Sequence, residues 1–298
     1  MGTTSEITAP VVTADFTQRA EFSSETRELA VGAAGMPLTI HHPTGDAKGT
    51  VILIPGWSGT RSGPADILVF LASHLAKNGY RAVRLDLPGR GDALGSFAEC
   101  DFDRMMDVTF KTIIGLQLSG PCTLVGICSG GNVSLGTVPL LMNAPKRVDA
   151  RVVALSTLPF QPARSKSFER RRRWKNIKQY AAKAFSPRTW LRVIKGEVNL
   201  DRVKKNVTAS EKPGGGERNL KDSVRDIERE LLGWKEKALF IWGGGDEEAA
   251  PARAYFEKLH AHGMGAQSSF HTIDGANHNF YAKAWREEIA RRIVEFLT

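Results

Sequence analysis

Gly126-Ile-Cys-Ser-Gly-Gly131 joins an apolar run, residues 122–126, to a helical pattern that extends from Asn132 to Met142. A strand, a sharp turn and a helix around a Gly-x-nucleophile-x-Gly pattern form a nucleophile elbow, in which small residues let strand and helix approach closely. Cys128 stands at its centre, where Ser is more usual. We therefore predict a nucleophilic Cys128 at the start of a helix, where backbone N–H groups favour the thiolate. The competing interpretation is a buried, unreactive Cys on a glycine-rich turn.

Strand patterns alternate with helix patterns on both sides of this stretch. The predicted strands are residues 27–31, 37–42, 50–54, 81–86, 122–126, 151–155, 238–242 and 268–273. The predicted helices are residues 64–78, 102–116, 132–142, 251–262 and 285–296, with Pro139 expected to kink or shorten the third. Such alternation predicts an α/β fold with a mostly parallel, doubly wound sheet that is covered on both faces.

One basic segment interrupts the alternation after the sixth strand. Residues 161–236 carry 21 Lys and Arg against 10 Asp and Glu, a surplus of 11 positive charges. Because the net charge of the whole chain is +9, the remaining residues together have a net charge of about −2. We predict a helical lid at residues 158–234, inserted into a core made of residues 1–157 and 235–298. Its charge is typical of a solvated face, but an anionic small substrate, a carrier, a polymer or a membrane surface are alternative partners.

Two further residues stand where a catalytic acid and a catalytic His are expected to follow the nucleophile. Acyl transfer on such a sheet needs nucleophile, acid and His in that chain order. Asp246 follows the seventh strand in Gly243-Gly-Gly-Asp246, and His278 follows the last strand in Gly275-Ala-Asn-His278. Both positions lie at the edge of the sheet that carries the elbow, so we predict a Cys128–His278–Asp246 triad. The competing acids are Asp274, Glu247 and Glu248.

The oxyanion of such a reaction needs two backbone donors. The first predicted donor is the N–H of Ser129, the residue after the nucleophile. The second is the N–H of Trp57 in the loop after the third strand, since Pro55 in that loop has no N–H. The Trp57 indole would then line the acyl pocket, unless it is a plain packing residue.

The elbow, the Pro55-Gly-Trp57 loop, the turn Asp86-Leu-Pro-Gly-Arg-Gly-Asp92, Asp246 and His278 together resemble the α/β-hydrolase superfamily over nearly the whole chain. A narrower resemblance, to hydrolases encoded with the exosortase A system of bacteria, lies in the Cys elbow and in the following segments: Arg61-Ser-Gly-Pro64, Trp174-Lys-Asn-Ile-Lys-Gln-Tyr180, Phe185-Ser-Pro-Arg-Thr-Trp190 and Gly196-Glu-Val-Asn-Leu200. It implies the same triad and a cytoplasmic location. Dienelactone hydrolases and polyhydroxyalkanoate synthases are also similar in having a Cys elbow, although the dienelactone type lacks a lid of this size.

These residues predict a Cys-dependent acyl hydrolase that acts on an ester, thioester or lactone through a thioacyl-enzyme. The alternative is an acyltransferase that passes the acyl group to an alcohol or amine, and an alternative of another class is a non-catalytic binding module. The expected partner is a small acyl substrate, anionic or carrier-bound. Neither metal nor cofactor nor nucleic acid is expected, and the oligomeric state is left open.

The location is predicted from the cysteines and the chain start. Cys100, Cys122 and Cys128 have no repeated spacing, which argues against a disulfide framework and fits a reducing compartment. A basic region followed by an apolar signal segment is not visible, and no uncharged apolar run approaches the length of a membrane span. We therefore expect a cytoplasmic, soluble protein.

Overall fold

The computed structural model describes residues 22–31, 34–118, 120–160, 220–265 and 267–298. These residues form eight strands in one sheet: β1 (Phe22–Val31), β2 (Ala34–Pro43), β3 (Thr50–Ile54), β4 (Arg81–Leu85), β5 (Cys122–Ile127), β6 (Ala150–Leu155), β7 (Ala238–Gly243) and β8 (Ser268–Ile273). The helices are α1 (Ile67–Lys77), α2 (Phe102–Gly115), α3 (Ser129–Met142), the short α4 (Ile227–Glu230), α5 (Ala249–Ala261) and α6 (Lys283–Leu297).

The sheet order is β1-β2-β4-β3-β5-β6-β7-β8. The β1–β2 and β2–β4 pairs are antiparallel, and the five pairs from β4–β3 to β7–β8 are parallel. This confirms the predicted fold class. Because β3, β5, β7 and β8 run in the same direction, the loops that follow them open at one edge of the sheet.

Several predicted boundaries were wrong by a few residues. The hairpin strands each have ten residues, because pairing continues from Phe22 opposite Pro43 to Val31 opposite Ala34. Helix α3 begins at Ser129 rather than at Asn132, because Cys128 itself is the N-cap residue, and it continues through Pro139 to Met142 without being shortened.

The start of α1 also differs from the prediction. Pro64 opens a separate 3-10 turn, and the α-helix begins only at Ile67. The reason is the left-handed backbone of Ala65 and Asp66, with φ of 48° and 59°, which interrupts the helical path.

Apolar side chains cover both faces of the sheet, as the continuous apolar strands predict. On one face, α2, α3 and α5 pack over an aromatic cluster in which Phe240 stacks on Trp242, Phe256 and Phe270 at centroid distances of 5.7, 4.8 and 5.2 Å. On the other face, α1 and α6 pack over residues such as Val125. The two helical layers fix the sheet, and therefore the edge at which its loops meet.

The end of the predicted lid packs against this core. Ile227, Leu231 and Trp234 are buried in the cluster beneath α3, and the Trp234 indole Nε1 donates to the Ala150 carbonyl over 3.1 Å. Residues 161–219, which hold most of the predicted lid and its basic run, lie outside the described residues. The division into core and lid therefore stays a prediction. Within the described ranges, no helix is both long enough and apolar enough to cross a membrane.

We expect Gly126→Ala to lower the free energy of unfolding by at least about 3 kcal/mol, the upper end of overpacking costs. A Cβ at Gly126 would lie 2.1 Å from the Gly130 carbonyl oxygen, which is backbone and cannot move aside cheaply. The matched control is Gly233→Ala, where nothing lies within 4 Å of the added atom. Urea unfolding followed by circular dichroism compares the two, and a Gly126→Ala variant as stable as the control would contradict the argument.

Candidate active site

The elbow holds Cys128 in a strained conformation, with φ of 55° and ψ of −124°. Its N–H donates to the Leu155 carbonyl of β6 over 2.7 Å, which fixes the turn against the neighbouring strand. A Cβ at Gly130 would lie 2.4 Å from the Ile54 carbonyl oxygen, so α3 starts almost in contact with the end of β3. Positive φ at a non-glycine residue costs on the order of 1–3 kcal/mol and occurs mostly where surrounding structure enforces it, often at active sites.

The three predicted triad residues come together at the carboxyl edge of the sheet. His278 Nδ1 lies 2.6 Å from Asp246 Oδ2, and the Cys128 thiol is hydrogen-bonded to the same His278 ring. The second oxygen of Asp246, Oδ1, accepts the N–H of Glu248 over 3.1 Å. A carboxylate at Nδ1 makes that nitrogen the donor, so the other ring nitrogen faces the thiol.

The electrostatics of the pair favour a charged sulfur and a charged ring. Burial alone would raise the pKa of Cys128, but the hydrogen bond and charge of His278 and the backbone N–H of Ser129 lower it below the ordinary thiol value. Burial alone would lower the pKa of His278, but Asp246 and Cys128 raise it to about 10. The lowered pKa of Cys128 and the raised pKa of His278 therefore both favour the thiolate–imidazolium form of the pair.

The other two thiols have the opposite environment. Burial raises the pKa of Cys122 to about 12, and it also raises the pKa of Cys100 despite the nearby Arg90. Both side chains are almost completely buried, whereas Cys128 is partly exposed. Of the three cysteines, Cys128 is thus the one whose surroundings favour the thiolate.

The competing acids do not take the place of Asp246. Asp274 and Glu247 are exposed, and the carboxylate hydrogen-bonded to His278 among the described residues is that of Asp246. Glu248 contributes its backbone N–H to Asp246 and its side chain to the pocket wall. The sequence prediction of the acid agrees with this geometry.

The two segments that carry the predicted oxyanion donors both lie beside Cys128. The Ser129 N–H interacts with the Cys128 sulfur, as expected at the first residue of a helix. The Ser129 hydroxyl is buried there too but makes no hydrogen bond of good geometry, so we assign the stabilising contact to the backbone. A Cβ at Gly56 would lie 3.5 Å from the Cys128 Cβ, which places the loop before Trp57 directly beside the nucleophile.

The sequence analysis missed Arg90, which supports the Trp57 loop. Arg90 is 4% exposed; its Nε donates to the Trp57 carbonyl, and its Nη1 donates to the Pro88 carbonyl over 2.7 Å. The guanidinium also lies 4.3 Å from the Phe97 ring centroid and 5.1 Å from that of Trp57. Arg90 belongs to the turn at residues 86–92, so the motif was visible, but its contact with Trp57 was not.

A buried carboxylate ties the same turn to the loop after β3. Asp86 is fully buried and accepts the Arg61 N–H over 2.6 Å and the Asp92 N–H over 3.1 Å, and it also pairs with the Arg61 guanidinium. A Cβ at Gly91 would lie 2.3 Å from Asp86 Oδ2, so only glycine leaves room for this carboxylate. Desolvation of a buried carboxylate is offset here by several donors.

The triad opens into a cavity of about 340 Å³. Trp57 lines the cavity and also stacks on Phe102 at a centroid distance of 5.6 Å, so its predicted pocket and packing roles coexist. The cavity is lined by Trp57, Phe102, Cys128, Ser129, Asn132, Leu158, Pro159, Phe160, Lys221, Ser223, Ile227, Asp246, Glu248 and His278. Apolar and polar groups both face this space, as is typical of small-molecule sites.

We expect iodoacetamide to label Cys128 selectively in the folded protein, at a rate that already rises with pH below the ordinary thiol pKa. A lowered pKa means more thiolate at neutral pH, and the thiolate is the reactive form. In His278→Ala the inflection should move to higher pH, since the hydrogen bond and positive charge are lost. Peptide mass spectrometry identifies the labelled residue, and Cys100 and Cys122 serve as internal controls. Identical pH profiles for the two proteins would contradict the pairing of Cys128 with His278.

Comparison with known proteins agrees with this geometry. The chain resembles the dienelactone hydrolase of Anabaena variabilis, with 14% identity and a TM-score of 0.58 over 92% of this chain and 96% of that one. It resembles an esterase of Pyrococcus furiosus with 15% identity and a TM-score of 0.60, over 99% of this chain and 98% of the esterase. It also resembles Est1E of Butyrivibrio proteoclasticus with bound ferulic acid, with 13% identity and a TM-score of 0.60 over 91% of this chain and 97% of Est1E. Curated protein sequences give no match. The model of the alpha/beta hydrolase family matches residues 51–292, which contain every predicted site residue, and the chain therefore belongs to the alpha/beta hydrolase family.

Proposed function

We propose that this alpha/beta hydrolase is a Cys-dependent acyl hydrolase that uses a Cys128–His278–Asp246 triad and a thioacyl-enzyme. The observation that carries the proposal is the hydrogen-bonded chain from the thiol through the imidazole to the carboxylate, with 2.6 Å between His278 Nδ1 and Asp246 Oδ2. A structural cysteine needs neither a His partner nor a lowered pKa, so both features favour a nucleophile.

In the first half-reaction the Cys128 thiolate attacks the acyl carbonyl carbon. The carbonyl oxygen becomes an oxyanion, for which the N–H groups of Ser129 and Trp57 are the proposed donors. The His278 imidazolium then gives its proton to the leaving alcohol or thiol as the bond to the carbonyl carbon breaks. The products of this half-reaction are the free leaving group and an acyl thioester on Cys128.

In the second half-reaction the neutral His278 takes a proton from water, and the resulting hydroxide adds to the thioester carbon. The intermediate collapses, the carboxylic acid leaves, and Cys128 returns as the thiolate beside a protonated His278. Asp246 holds the His278 ring in one tautomer and orientation and stabilises the imidazolium in both halves.

The proposed substrate is a small ester, thioester or lactone, anionic or carrier-bound. The activities of two structural neighbours, a dienelactone hydrolase and an esterase, support an ester or a lactone as the substrate. The cytoplasmic location and the kinship with exosortase-linked hydrolases remain proposals, and most of the segments that carry that kinship lie outside the described residues.

One experiment separates the proposed activity from its alternatives. The protein is incubated with p-nitrophenyl esters and CoA thioesters, with and without alcohol or amine acceptors, and the products and the intact protein mass are followed. Release of free acid and an acyl adduct on Cys128 support hydrolysis. An acyl group found on the acceptor in preference to water would favour the acyltransferase, and binding without any product would favour the binding module.

We expect Cys128→Ala to abolish turnover and the acyl adduct, because no other group replaces the sulfur. Cys128→Ser should be strongly impaired as well, since a hydroxyl is far less ionised than this thiol and depends more on its base. Initial rates with a p-nitrophenyl ester measure both variants. Activity of Cys128→Ala within a few-fold of wild type would remove the nucleophile assignment.

We expect His278→Ala to cost nearly as much activity as Cys128→Ala, and Asp246→Asn to cost less. A thiol with a lowered pKa needs less help from a base than a hydroxyl does, while the carboxylate acts only through the imidazole. The double variant His278→Ala/Asp246→Asn should therefore be little worse than His278→Ala alone.

The matched controls for this prediction are Glu247→Gln and Asp274→Asn, which remove exposed carboxylates that lie near Asp246 and His278 in the chain. Both variants should keep kcat/KM within about threefold of wild type. A crippling loss in either control, with a silent Asp246→Asn, would show that another acid serves His278. Fully additive losses in the double variant would separate Asp246 from His278.

A further inference from the structure

Four charged or titratable side chains line the cavity above Cys128 among the described residues: Lys221, Asp246, Glu248 and His278. Asp246 and His278 are paired with each other in the triad. Glu248 belongs to the wall at the triad acid, because its N–H donates to Asp246 Oδ1. Lys221 belongs to the wall at the oxyanion loop, because its Nζ lies 5.3 Å from the Trp57 ring centroid. The cavity thus has the Lys221 ammonium at Trp57, and the residue Glu248 at Asp246.

The backbone around Lys221 is fixed to the start of α2. The Leu220 carbonyl accepts the Phe102 N–H over 2.9 Å, on one side of Lys221. On the other side, the Ser223 hydroxyl and the Val224 N–H both donate to the Asp103 carboxylate, the latter over 3.0 Å. These three contacts span the five residues 220–224, so the fold itself sets where the Lys221 stem begins.

A second anchor follows directly along the chain. The Arg225 guanidinium donates to the Gly136 carbonyl over 2.8 Å, and Ile227 is buried against the same helix α3. The segment that carries Lys221 is therefore held at both α2 and α3, the two helices that frame the cavity. The backbone that carries Lys221 is thus pre-organised, which lowers the chain entropy lost when its ammonium pairs with a ligand.

The wall around Lys221 combines apolar and polar groups. Trp57 and Phe102 stack with ring planes 13° apart and offer an apolar surface in the cavity that Cys128 also lines. The ammonium lies over that surface, and the Ser223 side chain also lines the cavity. The cavity of about 340 Å³ corresponds to about eleven water volumes at about 30 Å³ each, which leaves room for an acyl chain of a few carbons.

We propose that this cavity takes acyl donors whose acyl chain ends in an anionic group, such as the half-ester of a short dicarboxylic acid, and that Lys221 binds that group. The inference rests on the proposed acyl hydrolysis and specifies its substrate. The carbons of the chain lie on Trp57 and Phe102, and the distal carboxylate pairs with the ammonium. Glu248, near the triad acid, disfavours an anion at that side and so orients the chain.

The test compares two substrates with the same leaving group and nearly the same chain length, p-nitrophenyl hemiglutarate and p-nitrophenyl valerate. In the wild-type protein we expect kcat/KM for the hemiglutarate to exceed that for the valerate at least about tenfold. This preference should shrink as salt is added, because screening weakens charge pairing. In Lys221→Met the ratio should fall at least about tenfold, because the hemiglutarate loses its charge partner and the valerate has none to lose, and Lys221→Glu should favour the valerate.

The matched control is Lys258→Met, which removes an exposed lysine of α5 that lines a different cavity. It should leave the substrate ratio unchanged. A wild-type protein that hydrolyses both substrates equally, or a Lys221→Met variant that loses both activities equally, would overturn the inference while leaving acyl hydrolysis intact.

A second pair of substrates tests whether the charge preference concerns the leaving group: the acetyl thioester of 3-mercaptopropionate and the acetyl thioester of propanethiol. A charge preference seen only with this pair would place the anion on the leaving group and overturn the assignment to the acyl chain.

A binding measurement keeps the two proposals apart if no turnover is seen. Free glutarate should slow the alkylation of Cys128 by iodoacetamide in the wild-type protein, and much less in Lys221→Met. Protection without hydrolysis of any ester would count against the proposed reaction and still support Lys221 as the anion site. Hydrolysis without protection at any glutarate concentration would count against Lys221.

Discussion

The contact between the end of β5 and the first turn of α3 is the constraint on which the site depends. A Cβ at Gly126 or at Gly130 would collide with backbone oxygen atoms at 2.1 and 2.4 Å, so the two glycines keep strand and helix closer than any other residues allow. At this close approach Cys128 has a φ of 55°, in the region that side-chain-bearing residues rarely adopt. The buried sheet and helices supply the free energy that maintains this strain, which is why the nucleophile lies on rigid elements rather than on a loop.

The sulfur placed in this way is stable as a thiolate only because of its neighbours. Burial opposes both charges of the Cys128–His278 pair, yet the pKa of Cys128 is lowered and that of His278 is raised to about 10. The raised His278 pKa contributes stability that is fully present below its unfolded value and is lost as pH rises through about 10. The lowered Cys128 pKa contributes stability that is lost as pH falls through its folded value. Asp246 supports the charged form of His278, because its carboxylate accepts the hydrogen bond from Nδ1 of the ring.

The sequence was sufficient for the parts of the site that depend on chain order. Cys128, Asp246 and His278 each follow a strand, and parallel strands bring those positions to one edge whatever the details of packing. The boundaries of β1 and β2 and the start of α3 differed because pairing and capping are decided by partners elsewhere in the chain. Arg90 and Asp86 lay in a turn that was recognised as a motif, but their partners Trp57 and Arg61 belong to another loop. Lys221 was hidden among the many basic residues of the predicted lid, since composition does not tell which lysine faces a cavity.

The site is therefore built on three supports that depend on different contacts. The triad rests on the elbow and on the turns after β7 and β8. The donor loop at Trp57 rests on Arg90, and the rest of that loop is tied to the neighbouring turn by the pair of Asp86 with Arg61. The wall at Lys221 rests on the Asp103 carboxylate of α2. Lys221 also lies over the Trp57 ring, so the second and third supports meet at that side chain. In the proposed function the triad carries the chemistry and Lys221 carries the selectivity, and the backbone around Lys221 is held by contacts to α2 and α3 that involve neither Cys128 nor His278.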